Sequence, residues 1–413
     1  VYAALPAYTR AAAADHVSRR LGERIDDVAE LISAESGKPI TWALAEANRA
    51  VSTFRWAAEE ARRFGGELQR LDTDPSAPER AALIRRFSRG PVLGIAPFNF
   101  PLNLVAHKLA PALAVGAPII VKPAPATPLS ALLLGDLLAE TDLPAGSWSV
   151  LPVPNDRMES LVADPRLPVV SFTGSVPVGW SIADAVPRKQ VILELGGNAA
   201  VVVCADWPDL EAAARRIALF GNSQAGQSCI SVQRVLVQRS ILDTFVPLLV
   251  EQVRALDPIA DVGPVINDAA AERIMAWTAS SGGRILTGGG REGRMLEPTV
   301  IVDADPKSEV CAQEVFGPVL VISSFEEIDD AFVAVNDSVY GLQAGIFTRD
   351  LPTAFTAHRA LKVGGVVIGD VPTYRADQMP YGGTKDSGVG REGVRSAMDD
   401  YTEQRVLVVD ALR

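Results

Sequence analysis

The chain has 413 residues, more than one hydrophobic core usually spans, so two or more domains are expected. It is 48% hydrophobic and 22% charged, the balance of a globular enzyme rather than of a disordered or fibrous chain. A net charge of -11, with no long run of Lys or Arg, argues against a nucleic-acid partner.

Helical periodicity runs over residues 11–35, with Val17, Leu21, Ile25, Val28, Leu31 and Ile32 on one face and a stop at Gly37; a second helix is predicted over 40–64. Short apolar runs follow at 92–96, 118–121, 149–153, 169–172 and 191–195, each succeeded by Gly/Pro punctuation and a helical stretch. This βαβ alternation predicts a parallel sheet in an α/β fold. It restarts after Asn198, with a strand at 200–204, a helix at 210–220 and strands at 232–237, 299–302, 319–322, 345–347 and 365–369, which predicts a second α/β domain. Residues 81–89 and 405–409 fit neither sheet and are assigned to an oligomer interface, since unpaired strands invite partners.

The most apolar stretch, 109–138, is cut by Lys122 and by Pro111, Pro118, Pro123, Pro125 and Pro128, so no membrane helix and no membrane partner are predicted. Residues 1–15 carry no signal-peptide or transit pattern, although the chain lacks an initiator Met. Three cysteines, Cys204, Cys229 and Cys311, include no CxxC pair, so neither a disulfide framework nor a metal site is indicated, and a reducing cytoplasm suits the chain.

Cys229 lies in the small polar loop Gly226-Gln227-Ser228-Cys229-Ile230-Ser231, reachable by a substrate, and a thiolate attacks carbonyls readily; a packed core cysteine is the plainer alternative. Cys204 and Cys311 look structural. Glu194 stands in an apolar strand before Gly196 and Gly197, where desolvation would raise its pKa toward that of a general base; the alternative is an outward-facing strand-end Glu. Asn99, clamped in Pro97-Phe98-Asn99-Phe100-Pro101, is either an oxyanion donor or a turn residue. Lys122 ends a strand at the ligand-binding edge of the sheet, and Thr173-Gly174-Ser175 opens a helix whose N-terminus suits a diphosphate, with Ser175 as N-cap. Each could equally be a solvated edge or an ordinary turn. Gly388-Val389-Gly390-Arg391-Glu392-Gly393 spells GxGxxG, but no strong strand precedes it and too little chain follows for a βαβ unit, so it is set aside.

Taken together, PFNFP at Pro97, KP at Lys122, FTGS at Phe172, LELGGN at Leu193, GQSC at Gly226, QEVFGP at Gln313, NDSVYGLQAGIF at Asn336 and PYGGTKDSGVGREG at Pro380 resemble, in order, the motifs of the aldehyde dehydrogenase superfamily over nearly the whole chain. The resemblance implies a Rossmann-like dinucleotide-binding domain over 1–77 and 92–197, a catalytic α/β domain over 198–398, and a small β oligomerisation arm from 78–91 and 399–413. By the same resemblance Cys229 attacks the aldehyde, Asn99 and the Cys229 backbone amide hold the oxyanion, hydride passes to the nicotinamide, and Glu194 activates water to hydrolyse the thioester. Lys108 would act in proton relay with that base. Lys122, Phe172, Gly174, Ser175, Gly196, Glu314 and Phe316 would contact the dinucleotide.

Several positions depart from the pattern. Pro125 stands where NAD-preferring members often carry a carboxylate, which leaves NADP open beside NAD. The chain starts within a helix and looks short around 255–263 and 277–283. The presence of Glu194 argues for a free-acid product over acyl transfer to CoA. Tyr374-Arg375-Ala376-Asp377 resembles lactaldehyde- and phosphonoacetaldehyde-type members, so Arg375 is a candidate for an anionic substrate group, with a salt bridge to Asp377 or another subunit as the alternative. His107 is a second candidate substrate residue. The expectation is a small, anionic or hydroxylated aldehyde and a homodimer or homotetramer. Two other readings remain: a dinucleotide-independent thiol esterase or acyltransferase, which needs His16, His107 or His358 beside Cys229, and a non-catalytic protein that retains the fold.

Overall fold

A computed structural model describes residues 2–77 and 79–410. Val1, Pro78 and residues 411–413 of the predicted tail lie outside the described residues.

The chain opens with three helices, α1 (Ala7–Glu23), α2 (Ile25–Ser36) and α3 (Ile40–Arg63). The single helix expected over 11–35 is thus two, broken at Arg24, whose φ of -123° and ψ of 30° leave the helical region. Their apolar stripes, including Val17, Leu21, Ile32 and Phe54, are fully buried together. Next come β1 (Glu67–Arg70) and β2 (Arg80–Ser88), and then alternation sets in: β3 (Val92–Ile95), α4 (Asn103–Val115), β4 (Ile119–Lys122), α5 (Leu129–Ala139), β5 (Trp148–Val150), α6 (Met158–Ala163), β6 (Val169–Thr173), α7 (Val176–Ala185) and β7 (Gln190–Glu194).

A second series follows: β8 (Ala200–Val203), α8 (Leu210–Asn222), β9 (Arg234–Gln238), α9 (Leu242–Arg254), α10 (Asp268–Ala279), β10 (Arg284–Thr287), the ribbon β11 (Arg291–Glu292) with β12 (Met295–Leu296), β13 (Thr299–Val302), α11 (Glu309–Ala312), β14 (Val319–Phe325), α12 (Ile328–Asn336), β15 (Gln343–Phe347), α13 (Leu351–Ala360) and β16 (Gly365–Ile368). The chain closes with β17 (Gly388–Val389), α14 (Val394–Asp400) and β18 (Thr402–Asp410).

The first sheet has the order β17-β7-β6-β3-β4-β5, and β3 to β7 run parallel. From β3 the chain steps outward to β4 and β5, then returns to β6 and β7 on the other side. The loops leaving β3 and β6 therefore diverge, and such a switch point opens a crevice at the carboxyl ends of the strands. Pro97–Phe100 and Gly174-Ser175 are those loops. The second sheet, β10-β13-β14-β9-β8-β15-β16, is parallel apart from β10, and its five inner strands are largely buried, as expected of a sheet covered on both faces, while the edge strands β10 and β16 are partly exposed.

The two segments that fit neither sheet pair with each other. Residues 80–88 form β2, antiparallel to β18 on one side and to the unforeseen β1 on the other. Both faces of this small sheet are open: Val406, Leu407 and Val408 are consecutive yet more than half exposed (61%, 60% and 54%).

The expected division at 197/198 needs one correction near the end. β17 pairs antiparallel with β7, placing Gly388 opposite Glu194, while Val394, Met398 and Tyr401 join the core of α1, α3 and α4. The segment 388–401 thus packs on the first unit, not on the second. A two-residue strand and a seven-residue helix also leave GxGxxG without a βαβ frame.

Candidate active site

Beyond α8 the backbone enters an uncommon turn: Gln224, Ala225 and Gly226 have φ of 44°, 57° and 66°. Left-handed residues with a Cβ cost roughly 1–3 kcal/mol each and persist where the surroundings hold them. Here the Gln227 side chain does so, accepting from the Ile266 N–H (2.8 Å) and donating to the carbonyls of Gln224 (3.1 Å) and Pro264 (3.2 Å). Gly226 lies against Gly317, whose carbonyl oxygen a Cβ would meet at 2.3 Å. The turn delivers Cys229 to the wall of a cavity of about 640 Å3 that lies between the two large sheets' loops.

The Cys229 Sγ is 3.0 Å from the Tyr381 hydroxyl. Burial pushes the thiol up to about 12, and the hydroxyl works in the opposite direction. The Cys229 backbone N–H has no partner among the described residues. Asn99, just past β3, also lines the cavity, and one N–H of its amide donates to the Gln227 carbonyl at 3.0 Å. That bond ties the amide to the nucleophile loop and leaves a second N–H to offer.

Glu194 closes β7 with both carboxylate oxygens buried and without a hydrogen-bond partner among the described residues. Burial, reinforced by the nearby Glu392 charge, raises its pKa well above the ordinary carboxylate range, against the pull of Arg375, Lys108 and Arg391. Glu392 behaves in the opposite way. Burial disfavours its charge too, but Lys108 and Arg375 outweigh that and hold it near 2. Its oxygens accept from Arg375 Nη2 (2.9 Å), the Thr173 hydroxyl (3.3 Å) and Lys108 Nζ (3.5 Å). Lys108, inside α4, also donates to Thr173 Oγ1 at 2.7 Å and Ser171 Oγ at 3.2 Å, and burial lowers its pKa. Two carboxyls in one buried cluster thus have their pKa values pushed apart, Glu194 upward and Glu392 downward, an arrangement suited to passing a proton.

Of the residues expected around a dinucleotide, Gly174, Ser175, Gly196, Glu314 and Phe316 line the cavity. Ser175 is the N-cap of α7, yet its side chain makes no capping bond, so the open end of that helix faces the cavity. Glu314 Oε1 accepts from the Gly197 N–H at 2.9 Å, and burial raises the carboxyl to about 7. Phe316 stands edge-on to Phe98 with ring centroids 6.0 Å apart. The other two, Phe172 and Lys122, lie outside the wall of this cavity. Phe172 is in the sheet core with Leu93 and Leu195, its ring packed beneath Gly174 rather than in the cavity. Lys122, at the end of β4, is buried outside the cavity wall and donates to Asn155.

Arg375 lines the cavity, but its partner is Glu392 and not Asp377; its guanidinium lies over the Tyr381 ring, 3.8 Å from the centroid, and its Nε is buried without a partner among the described residues. Asp377 instead accepts from Arg49 (3.0 Å) and contacts His107 Nε2 (3.2 Å). His107 is buried away from the cavity wall, so its side chain belongs to the support beneath Asp377 rather than to a substrate surface. The Cys/His reading loses its one motif-borne candidate, since the thiol faces Tyr381. Cys204 is buried in a core cluster as expected, whereas Cys311 borders a second, open cavity near Arg234.

The sequence profile of the aldehyde dehydrogenase family matches residues 1–407. The chain belongs to the aldehyde dehydrogenase family. It is 41% identical over 397 residues to the 3-sulfolactaldehyde dehydrogenase of Priestia aryabhattai, covering 94% of this chain and 83% of that protein. Aldehyde dehydrogenase 21 of Physcomitrella patens, solved with the reaction product succinate, superposes with a TM-score of 0.97 at 42% identity over 100% of this chain and 88% of the other. The glyceraldehyde-3-phosphate dehydrogenase GapN of Methanocaldococcus jannaschii, complexed with NADP, does so with a TM-score of 0.93 at 33% identity over 98% and 90%.

Three residues of this aldehyde dehydrogenase site escaped the sequence reading. Tyr381 and Glu392 sit inside the PYGGTKDSGVGREG segment but lie far in sequence from Cys229 and Lys108, so nothing local marks them. Arg49 lies on a long helix whose pattern reads as amphipathic packing, although it lines the cavity.

Proposed function

We propose that this enzyme oxidises a small, anionic aldehyde to a carboxylate through a thioester on Cys229. The supporting observation is that Cys229, Asn99, Glu194 and Glu314 line one cavity. The Cys229 thiolate attacks the carbonyl carbon, and the developing oxyanion lies within reach of the Asn99 amide and the unpartnered Cys229 N–H. A bound dinucleotide supplies the hydride acceptor. Glu194, once deprotonated, takes a proton from the water that cleaves the thioester, and Lys108 with Glu392 stands beside it to carry that proton onward.

The cofactor is NAD or NADP. The uncapped start of α7 suits a diphosphate, and Glu314 suits a ribose hydroxyl pair. Pro125 provides no carboxylate to repel a 2′-phosphate, so NADP is accepted alongside NAD. For the substrate, Arg49 and Arg375 both border the cavity, and the relatives named for sulfolactaldehyde and solved with succinate handle anionic compounds. The apolar faces of the β1-β2-β18 sheet support a homodimer or homotetramer assembled through that arm. Among the described residues no helix is long and apolar enough to cross a membrane, and the free thiols suit a cytoplasmic enzyme.

The test follows formation of reduced NAD and NADP with sulfonated, carboxylated, phosphorylated and neutral aldehydes, for wild type and Cys229→Ala. Turnover that disappears in the variant, with anionic aldehydes preferred, supports the proposal; turnover that survives Cys229→Ala overturns it.

A further inference from the structure

Among the described residues the Tyr381 hydroxyl is the one side-chain group within hydrogen-bond distance of the Cys229 sulfur, at 3.0 Å. Several contacts fix it there. Tyr381 is 4% exposed, and its backbone exchanges two hydrogen bonds with Glu392, at 2.9 Å and 2.6 Å. Its ring is covered by the Arg375 guanidinium, which Glu392 holds in turn. The phenol therefore has little freedom to turn away, and the sulfur sits in an apolar nest with Ile230 and Leu342. The charged and titratable groups around this sulfur are Glu314 and Glu194, which oppose a thiolate, and Arg375, which favours it.

We propose that Tyr381 is a catalytic residue that donates its O–H to Cys229 and stabilises the thiolate that forms before attack. The thiol S–H can itself donate to the phenol oxygen while neutral. Once the proton has left, the sulfur can only accept, and the phenol O–H is the donor in place to meet it. A hydrogen bond to an ionised group is stronger than one between neutral groups, so this contact favours the charged sulfur. When the S–C bond forms, the sulfur loses its charge and the bond weakens. The donor thus raises the thiolate fraction at some expense in the nucleophilicity of each thiolate.

Varying the donor strength at position 381 gives a signature distinct from a structural role. The inference rests on Cys229 being the nucleophile, so the experiment reads both. Alkylation of Cys229 by iodoacetamide is followed against pH in wild type and Tyr381→Phe, with the site confirmed by mass spectrometry and dehydrogenase activity assayed in parallel. Loss of the donor lowers the thiolate fraction roughly 10- to 100-fold below the thiol pKa. Higher intrinsic nucleophilicity recovers about half of that on a logarithmic scale, leaving alkylation roughly 3- to 10-fold slower near neutral pH. Because burial already places the wild-type thiol at about 12, both profiles rise in parallel on a logarithmic scale over the working pH range, with Tyr381→Phe below wild type throughout. A fluorinated tyrosine at 381, a stronger donor, moves the profile toward lower pH. Superimposable profiles, or a fluorinated tyrosine that leaves alkylation no faster than in wild type, overturn the role of Tyr381. Wild-type enzyme that keeps its activity after full alkylation of Cys229 overturns the nucleophile assignment instead. Melting temperature and dinucleotide binding of Tyr381→Phe establish that the fold is intact.

Discussion

Gly197 stands so close to Cys229 that a Cβ on the glycine would lie 2.1 Å from the cysteine's carbonyl oxygen. The strand that ends in the base and the loop that carries the nucleophile are therefore in backbone contact. The Gly197 N–H also positions Glu314.

Gly197→Ala is expected to force that loop away from Glu194. A displacement of about 1 Å at a reacting atom costs on the order of 100-fold in rate. Steady-state kinetics should show kcat/KM reduced by about that factor with the protein still folded, and a variant within a few-fold of wild type would refute the contact's importance.

The pH dependence of turnover should report the Glu194 carboxyl. A base must be deprotonated, and burial together with the Glu392 charge raises its pKa, so activity is lost as pH falls through that raised value. Glu392→Gln removes the neighbouring charge and frees Lys108 and Arg375 to favour an ionised Glu194. The acidic limb of the kcat profile is thus expected to move to lower pH. A limb that stays in place, or rises, would mean that the two carboxyls do not interact as their burial suggests.

The oxyanion loop has its own anchor. Glu46 of α3 accepts the backbone N–H groups of Leu102 (2.9 Å) and Asn103 (3.0 Å), and the buried Lys38 neutralises it while lying 4.2 Å from the Phe100 ring centroid. Removing one partner of such a pair leaves a buried charge uncompensated, at about 3–5 kcal/mol. Glu46→Ala is expected to destabilise the protein by about that amount in denaturant titration, and Lys38→Met combined with Glu46→Gln by less. Equal losses from the single and double variants would argue against the pairing.

Anion recognition is separable from catalysis. Arg49→Met is expected to raise KM for a sulfonated or carboxylated aldehyde roughly tenfold while leaving KM for a neutral aldehyde within about twofold, a difference of order 1.4 kcal/mol. Uniform loss across both classes would assign Arg49 to support of Asp377 alone.

What could be read in the sequence followed from how local each signal was. Most strands expected after Pro91, the Glu194 strand end and the Cys229 loop are contiguous patterns with punctuation and appear within a residue or two of expectation, although β5 ends three residues early, β14 runs three residues longer, and β10 to β12 were not foreseen. The helix break at Arg24 left no proline, only Gly22 nearby. β17 is two residues long, too short to carry any periodicity. Arg375 had Asp377 close in sequence, but folding gave it Glu392 instead, because Asp377 turns to Arg49 and His107. Partners chosen by topology are invisible to spacing.

The late return of the chain to the first sheet bears on synthesis at the ribosome. Cys229 and Glu194 emerge well before Tyr381, Glu392 and the strand at Gly388 that lies beside Glu194. Domains commonly fold as they emerge, amino-terminal end first. For this enzyme the first sheet must wait with an open edge until the last stretch is translated, and a nascent chain arrested before Tyr381 would carry its reactive sulfur and its base without the groups that tune them.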